Sequence, residues 1–441
     1  MHLPTPHGMD RRHFMRHMAT ASATLPTLNF INQIQANAAE VKKKNKACIL
    51  MWMGGGPPTI DLWDLKPGSK NGGEHKPIQT AAPGVEISEH LPKTAKVFDN
   101  LSIVRSMSTR EADHGRGRYF MHTGFVPNPT VVHPTFGSVV SHEIGSKNKN
   151  LEIPAFISVN APSGSPGYMG TTNAPFVVDS NGNIRNAAMG DMPRGRLDQR
   201  LRMLGVIEEN FIKSKRGELP QSHKDIYGKA VNLMTSEQMK AFNVAEEPQE
   251  VIDMYTSATP VGGAAGGMMG GNGFGRGLLM ARRLVENGVR FTCVVSGGGP
   301  GNMQWDAHAD IEENHLRKAS ETDRPVAGLL KDLKRRGLLD ETLVLWGGEF
   351  GRSPEAQGNG RDHHNLGFSM FMAGGGIKGG TVVGATDDIG LRAVESPHHF
   401  RDIHATMLHQ LGLDQHKLTY RHLGRDERLT FLEGNVIKEI V

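Results

Sequence analysis

Cysteine, aromatic side chains and net charge are all scarce in this 441-residue chain. Only two cysteines occur, Cys48 and Cys293. That excludes a cysteine-built metal site and a disulfide scaffold. Each lies in an apolar β-like run, 47–53 and 290–295. A buried free thiol is expected there in preference to a bridge, because adjoining central strands seldom give disulfide geometry. The formal charge is only +4, and beyond Lys42–Lys44 there is no long basic run. The footprint of a nucleic-acid binder is therefore missing. No run of 18 apolar residues exists outside the N-terminal segment, so no membrane-spanning helix is expected in the mature chain. Aromatics make up 6% of the residues while glycine numbers 54, a balance suited to a loop-rich enzyme scaffold. No internal repeat is visible. The tract VGGAAGGMMGGNGFGRG at 261–277 has no phosphate-loop spacing and is expected to be a flexible loop.

The N-terminus carries a specific signal. Asp10-Arg11-Arg12-His13-Phe14-Met15 is a twin-arginine pattern, followed by a weakly apolar stretch and by Ala36-Asn37-Ala38. Small residues at these last positions allow cleavage after Ala38. Residues 1–38 are thus expected to be a signal peptide, and 39–441 one exported domain, bound for the periplasm or cell exterior. Losing three arginines and one aspartate with the leader lowers the charge from +4 to +2.

The remaining chain alternates apolar runs with amphipathic stretches. Strands are expected at 47–53, 101–107, 154–159, 290–295, 342–346 and 368–373. Helices are expected at 197–214, 223–242, 278–286, 311–336 with a kink at Pro325, and 400–411. Strands separated by helices specify an α/β fold, a mostly parallel sheet with helices on both faces.

In such sheets ligands bind beyond the carboxyl ends of the strands. Four strands are followed by polar residues of the kinds that do chemistry. Asp61 follows the first; His114 and Arg118 follow the second; Asp306 and His308 follow 290–295; Glu349, Arg352, Asp362 and His363 follow 342–346. Carboxylates mixed with imidazoles suit Zn²⁺ or Mn²⁺, whereas carboxylates alone suit Ca²⁺. The expected ligand set is Asp61, Asp306, His308, Glu349, Asp362 and His363. Glu349 directly follows a buried strand, where a carboxylate must be paired or metal-bound; Arg352 and Arg361 are its candidate ion-pair partners. Arg118 and Arg352 are placed to hold an anionic group.

These segments resemble the domain of unknown function 1501 family, exported proteins with a sulfatase-like core of the alkaline phosphatase superfamily. The resemblance rests on MGGGPPTIDLWDLKP, HGRGRYFMHTG, WDAHAD, GLLDETLVLWGGEFGRSP, GRDHHN, AGGGIKGGTVVGATDDIG and HHFRDIHATMLHQLGLD. It implies a single sulfatase-like domain. The segment His114 to Gly124 is similar to the sulfatase nucleophile motif, with Arg118 and Thr123-Gly124 in register. His114 stands at the nucleophile's place, so a formylglycine route is not expected. His114 is left as a covalent nucleophile, a general acid or base, or a third imidazole ligand. Gly348-Glu349-Phe350-Gly351 resembles the sulfatase Ser-Asp-His-Gly, with Phe350 unable to ligate. Two functions follow. One is a metal-dependent hydrolase or transferase acting on sulfate or phosphate esters, with carbohydrate esters among its substrates. The other is a non-catalytic relative that binds glycans or cell-surface partners.

Overall fold

Runs such as ACILMW, FTCVV and TLVLWG have no polar face, and a strand of this kind is stable only when both sides of its sheet are covered. The computed structural model, which describes residues 46–73, 75–184, 193–214, 233, 236–257, 272–297, 305–428 and 434–441, meets that demand. The expected leader at 1–38, most of the glycine tract and most of the helix expected at 223–242 lie outside the described residues.

The main sheet contains β1 (Ala47–Trp52), β2 (Leu101–Ser108), β3 (Phe156–Val159), β4 (Phe176–Val178), β5 (Phe291–Val295) and β6 (Thr342–Gly347). A separate hairpin follows, β7 (Gly351–Gln357) and β8 (Gly360–His364). The main sheet then gains β9 (Phe368–Ala373), β10 (Thr381–Val383) and the two-residue β11 (His398–His399). Its order is β10-β2-β9-β6-β1-β5-β3-β4, with β11 beside the end of β2. β1 lies between β5 and β6, parallel to both. The sheet is mixed but mostly parallel; β9 runs antiparallel to β2 and β6. Its amino end, not its carboxyl end, therefore lies at the functional edge.

Side chains alternate across β1 as the pleat requires. Ile49 and Met51 join the cluster packed by α4 (Gly273–Glu286) and α5 (Ile311–Arg335). Cys48, Leu50 and Trp52 join the opposite cluster, with α2 (His114–Thr123), α3 (Phe136–Glu143) and α6 (Phe400–Gln410). The single turn α1 (Thr59–Leu62) follows β1. Helix α4 starts five residues before the expected 278, so the end of the glycine tract is helical. There Gly275 and Gly277 are buried where a Cβ would meet the Tyr255 carbonyl or Val294. Both cysteines are buried free thiols; burial pushes the Cys293 thiol up to about 12.

Candidate metal centre

The site is built where β1, β2, β5 and β6 end. After β2, the Asp113 side chain accepts the Arg116 backbone N–H at 2.9 Å and caps α2, making His114 the first helical residue. After β6, Glu349 is 2% exposed. Its Oε1 accepts the Gly55 N–H at 2.8 Å and lies 2.7 Å from His114 Nδ1. Its Oε2 is buried with no hydrogen-bond partner. Gly55 takes φ +107°, and a Cβ there would fall 2.4 Å from the Asp306 backbone nitrogen. A Cβ on Gly360 would lie 2.0 Å from the His308 carbonyl. These two glycines let the β1 turn and the hairpin close on the loop that carries Asp306 and His308.

Three imidazoles surround the Asp306 carboxylate. His308 Nε2 is 2.9 Å and His363 Nε2 3.4 Å from Oδ1; His114 Nε2 is 3.2 Å from Oδ2. The His114 contact is an ion-pair distance without hydrogen-bond alignment, since Nε2 has no hydrogen-bond partner. His308 Nε2 and His363 Nε2 stand 3.2 Å apart. His363 Nδ1 lies 2.8 Å from the Ala112 carbonyl, to which its N–H donates. That bond fixes the tautomer and leaves a lone pair on Nε2. Asp362 Oδ1 is 3.9 Å from His308 Nδ1 at the rim. Phe350 is buried, with its ring 5.0 Å from that of His114 and 4.9 Å from that of His363.

Charge follows this geometry. Burial disfavours the His114 imidazolium, but the adjacent Asp306 and Glu349 carboxylates outweigh it and raise its pKa to about 9. Burial opposes the Asp306 carboxylate too, yet His114 and Arg352 hold it well below the usual range.

The residues fit a divalent transition ion. His114, Asp306 and His363 each offer a donor within 4.8 Å of the others, as do His308, Asp362 and His363. Glu349 behind His114 and the Ala112 carbonyl behind His363 are the outer partners that metal-bound imidazoles need.

Residues 45–441 match the family described as protein of unknown function, DUF1501. The chain belongs to this family. Among solved structures, the PsFucS1 sulfatase from Pseudoalteromonas sp. aligns at 12% identity with a TM-score of 0.37, covering 87% of this chain and 72% of its own. The alkaline phosphatase from the Antarctic bacterium TAB5 aligns at 11% and 0.35, covering 84% and 98%. The phosphonate monoester hydrolase of Agrobacterium radiobacter aligns at 11% and 0.37, covering 89% and 76%. No curated protein matches the chain.

Within the DUF1501 chain, four residues stand elsewhere than their motifs suggest. Arg352 is 2% exposed. Its Nε donates to the Gly55 and Gly56 carbonyls at 3.0 and 3.2 Å, Nη1 to the Arg361 carbonyl at 3.2 Å, and Nη2 to Asp306. It holds the β1 turn and Asp306 in place. Arg118 donates from its guanidinium to the Pro162 carbonyl. Glu349 lies behind His114, with Oε1 2.7 Å from Nδ1. Asp61, 0% exposed, lies apart from Asp306. Arg361 Nη2 and Nε reach its two oxygens at 2.7 and 2.8 Å, and His315 Nε2 reaches Oδ2 at 2.8 Å. Burial opposes its charge, but His315 and Arg361 win and lower its pKa to about 2. His315 and His75 beside Asp61 were not singled out from the sequence. His315 sits inside a helical run, where a lone histidine reads as packing.

Proposed function

We propose that this chain is an exported, metal-dependent hydrolase or transferase of anionic esters, sulfate or phosphate, including esters of carbohydrates. The observation that carries the reading is the convergence of three imidazole Nε2 atoms on one carboxylate at the carboxyl edge of the sheet. His114, Asp306 and His363 would hold the ion. A bound divalent ion supplies a Lewis acid and a water of lowered pKa. Glu349 keeps the His114 Nδ1 proton in place so that Nε2 faces inward. Arg352 fixes the Asp306 carboxylate. His308, with half its side chain exposed, lies at the open rim with Nε2 turned to Asp306 and His363. With imidazole rather than hydroxyl or thiol at position 114, the reading includes no O-linked or formylglycine-type enzyme intermediate. That same imidazole favours the second reading, a non-catalytic glycan-binding relative.

Metal analysis of protein purified without chelator, combined with a panel of sulfate and phosphate esters, separates the two. The expected result is bound Zn²⁺ or Mn²⁺ and ester hydrolysis, with hydrolysis and metal at the open edge both lost in His363→Ala. Wild-type protein that turns over no ester, even after incubation with Zn²⁺, Mn²⁺ and Ca²⁺, would leave the binding reading.

Export by the twin-arginine route is supported by Asp10–Met15 and Ala36-Asn37-Ala38. No helix among the described residues is long and apolar enough to cross a membrane. Replacing Arg11 and Arg12 by lysine should strand the precursor in the cytoplasm, as read by cell fractionation. Undiminished export of that variant would point to another route.

A further inference from the structure

Asp61 does not reach the open-edge cluster, and its own surroundings are a ligand set. We propose that Asp61, His75 and His315 form a second divalent-cation site of the zinc class, separate from the open-edge cluster and structural in role. Three elements bring them together: Asp61 comes from α1, His75 from the loop that follows, and His315 from near the start of α5. One donor atom of each lies within 4.8 Å of the other two. Two imidazoles and a carboxylate from separate segments match the ligand types of zinc.

His315 Nε2 lies at hydrogen-bond distance from Asp61 Oδ2, 2.8 Å, whereas the spacing at His75 is that of a ligand pair. His75 Nε2 stands 3.7 Å from Asp61 Oδ1. That is too long for a hydrogen bond. It matches the spacing of about 3.4–3.7 Å that two donors adopt when each lies ~2.1 Å from a shared zinc. The other nitrogen, Nδ1, is 3.0 Å from His90 Nε2. With the shared proton on His75 Nδ1, the Nε2 lone pair faces Asp61, as in a ligating imidazole supported from behind. Arg361 donates to both Asp61 oxygens, Nη2 to Oδ1 at 2.7 Å and Nε to Oδ2 at 2.8 Å, as Arg352 Nη2 donates to Asp306. A ligating carboxylate is commonly bonded to such an outer partner. One carboxylate shared between a guanidinium and a dication leaves net positive charge, so this site is the weaker of the two. An ion here would tie His75 to the start of α5 and, through Arg361, to the hairpin that carries Asp362 and His363.

The test uses the full chain with the open-edge cluster disabled by His114→Ala and His363→Ala, equilibrated with Zn²⁺ and analysed for bound metal. Failure of the hydrolase reading and failure of this one are then distinct. The expected result is about one tightly held equivalent, lost on adding His75→Gln or His315→Gln. Zn²⁺ should raise the melting temperature of the doubly substituted chain and leave that of its His75→Gln derivative unmoved. His75→Gln spares the Arg361 and His315 bonds of Asp61, so its folding is not at stake even if His315→Gln fails to fold. No zinc in the doubly substituted chain, or equal zinc with and without His75→Gln, overturns the proposal.

Discussion

Replacing Asp61 by alanine should lower the unfolding free energy of the metal-free protein by about 3–5 kcal/mol. Arg361 has 5% of its side chain exposed and loses both carboxylate oxygens in that variant. What remains to it are backbone carbonyls of Ser353, Pro354 and Asn71, none of them charged. A buried guanidinium without a counter-charge is the costly outcome, more costly than losing the pair as a unit. The double variant Asp61→Ala with Arg361→Met should therefore recover part of the loss. Urea titration of the three chains reads this directly. A single variant within about 1 kcal/mol of wild type would mean that the pair is only of surface strength.

Acid should destabilise the protein well before its carboxylates titrate. His122 and His404 are buried, and desolvation lowers both to about 3. In the unfolded chain each titrates near 6.5. Between these values the unfolded state binds more protons than the native state, so stability falls as pH falls. Their contribution is intact above about 6.5 and is lost progressively towards 3. Two such groups amount to about 4 kcal/mol between pH 7.5 and pH 5. Burial lowers His75, His90, His133 and His364 as well, which adds in the same direction. His114 acts oppositely in another window: with its folded value raised to about 9, it stabilises the metal-free protein fully below 6.5 and loses this as pH rises through 9. Denaturant midpoints that do not move between pH 7.5 and 5 would contradict the assignment of neutral, buried His122 and His404.

The sheet was legible because its strands are long apolar runs bounded by glycine. The expected 368–373 is observed unchanged, and 342–346 and 101–107 each lengthen by one residue. The direction of β9 was not legible. A strand buried on both faces carries the same pattern read either way, and only the intervening hairpin at 351–364 reverses the chain. The cluster of Asp306, His308 and His363 was legible because donors at consecutive strand ends must share an edge. The depth of each side chain was not. Arg352 looks like surface chemistry in a polar stretch, yet it is buried against the Gly55 and Gly56 carbonyls; Glu349 was expected to be paired, but with Arg352 or Arg361, and its partners are His114 and the Gly55 N–H. Asp61 follows the same β1 end as Gly55, but α1 carries it past the edge and into contact with α5.

The central place of β1 has a kinetic consequence. The first strand of the domain pairs Cys48 with Phe291 on one side and Ala47 with Thr342 on the other. Neither neighbour exists until most of the chain has been synthesised. Contacts of such sequence separation require large loops to close before any stabilisation is returned, and they slow folding. The middle of the sheet is thus assembled late and as a unit, with ACILMW waiting unpaired meanwhile. A chain stopped short of residue 342 would leave one edge of that apolar strand open to other chains.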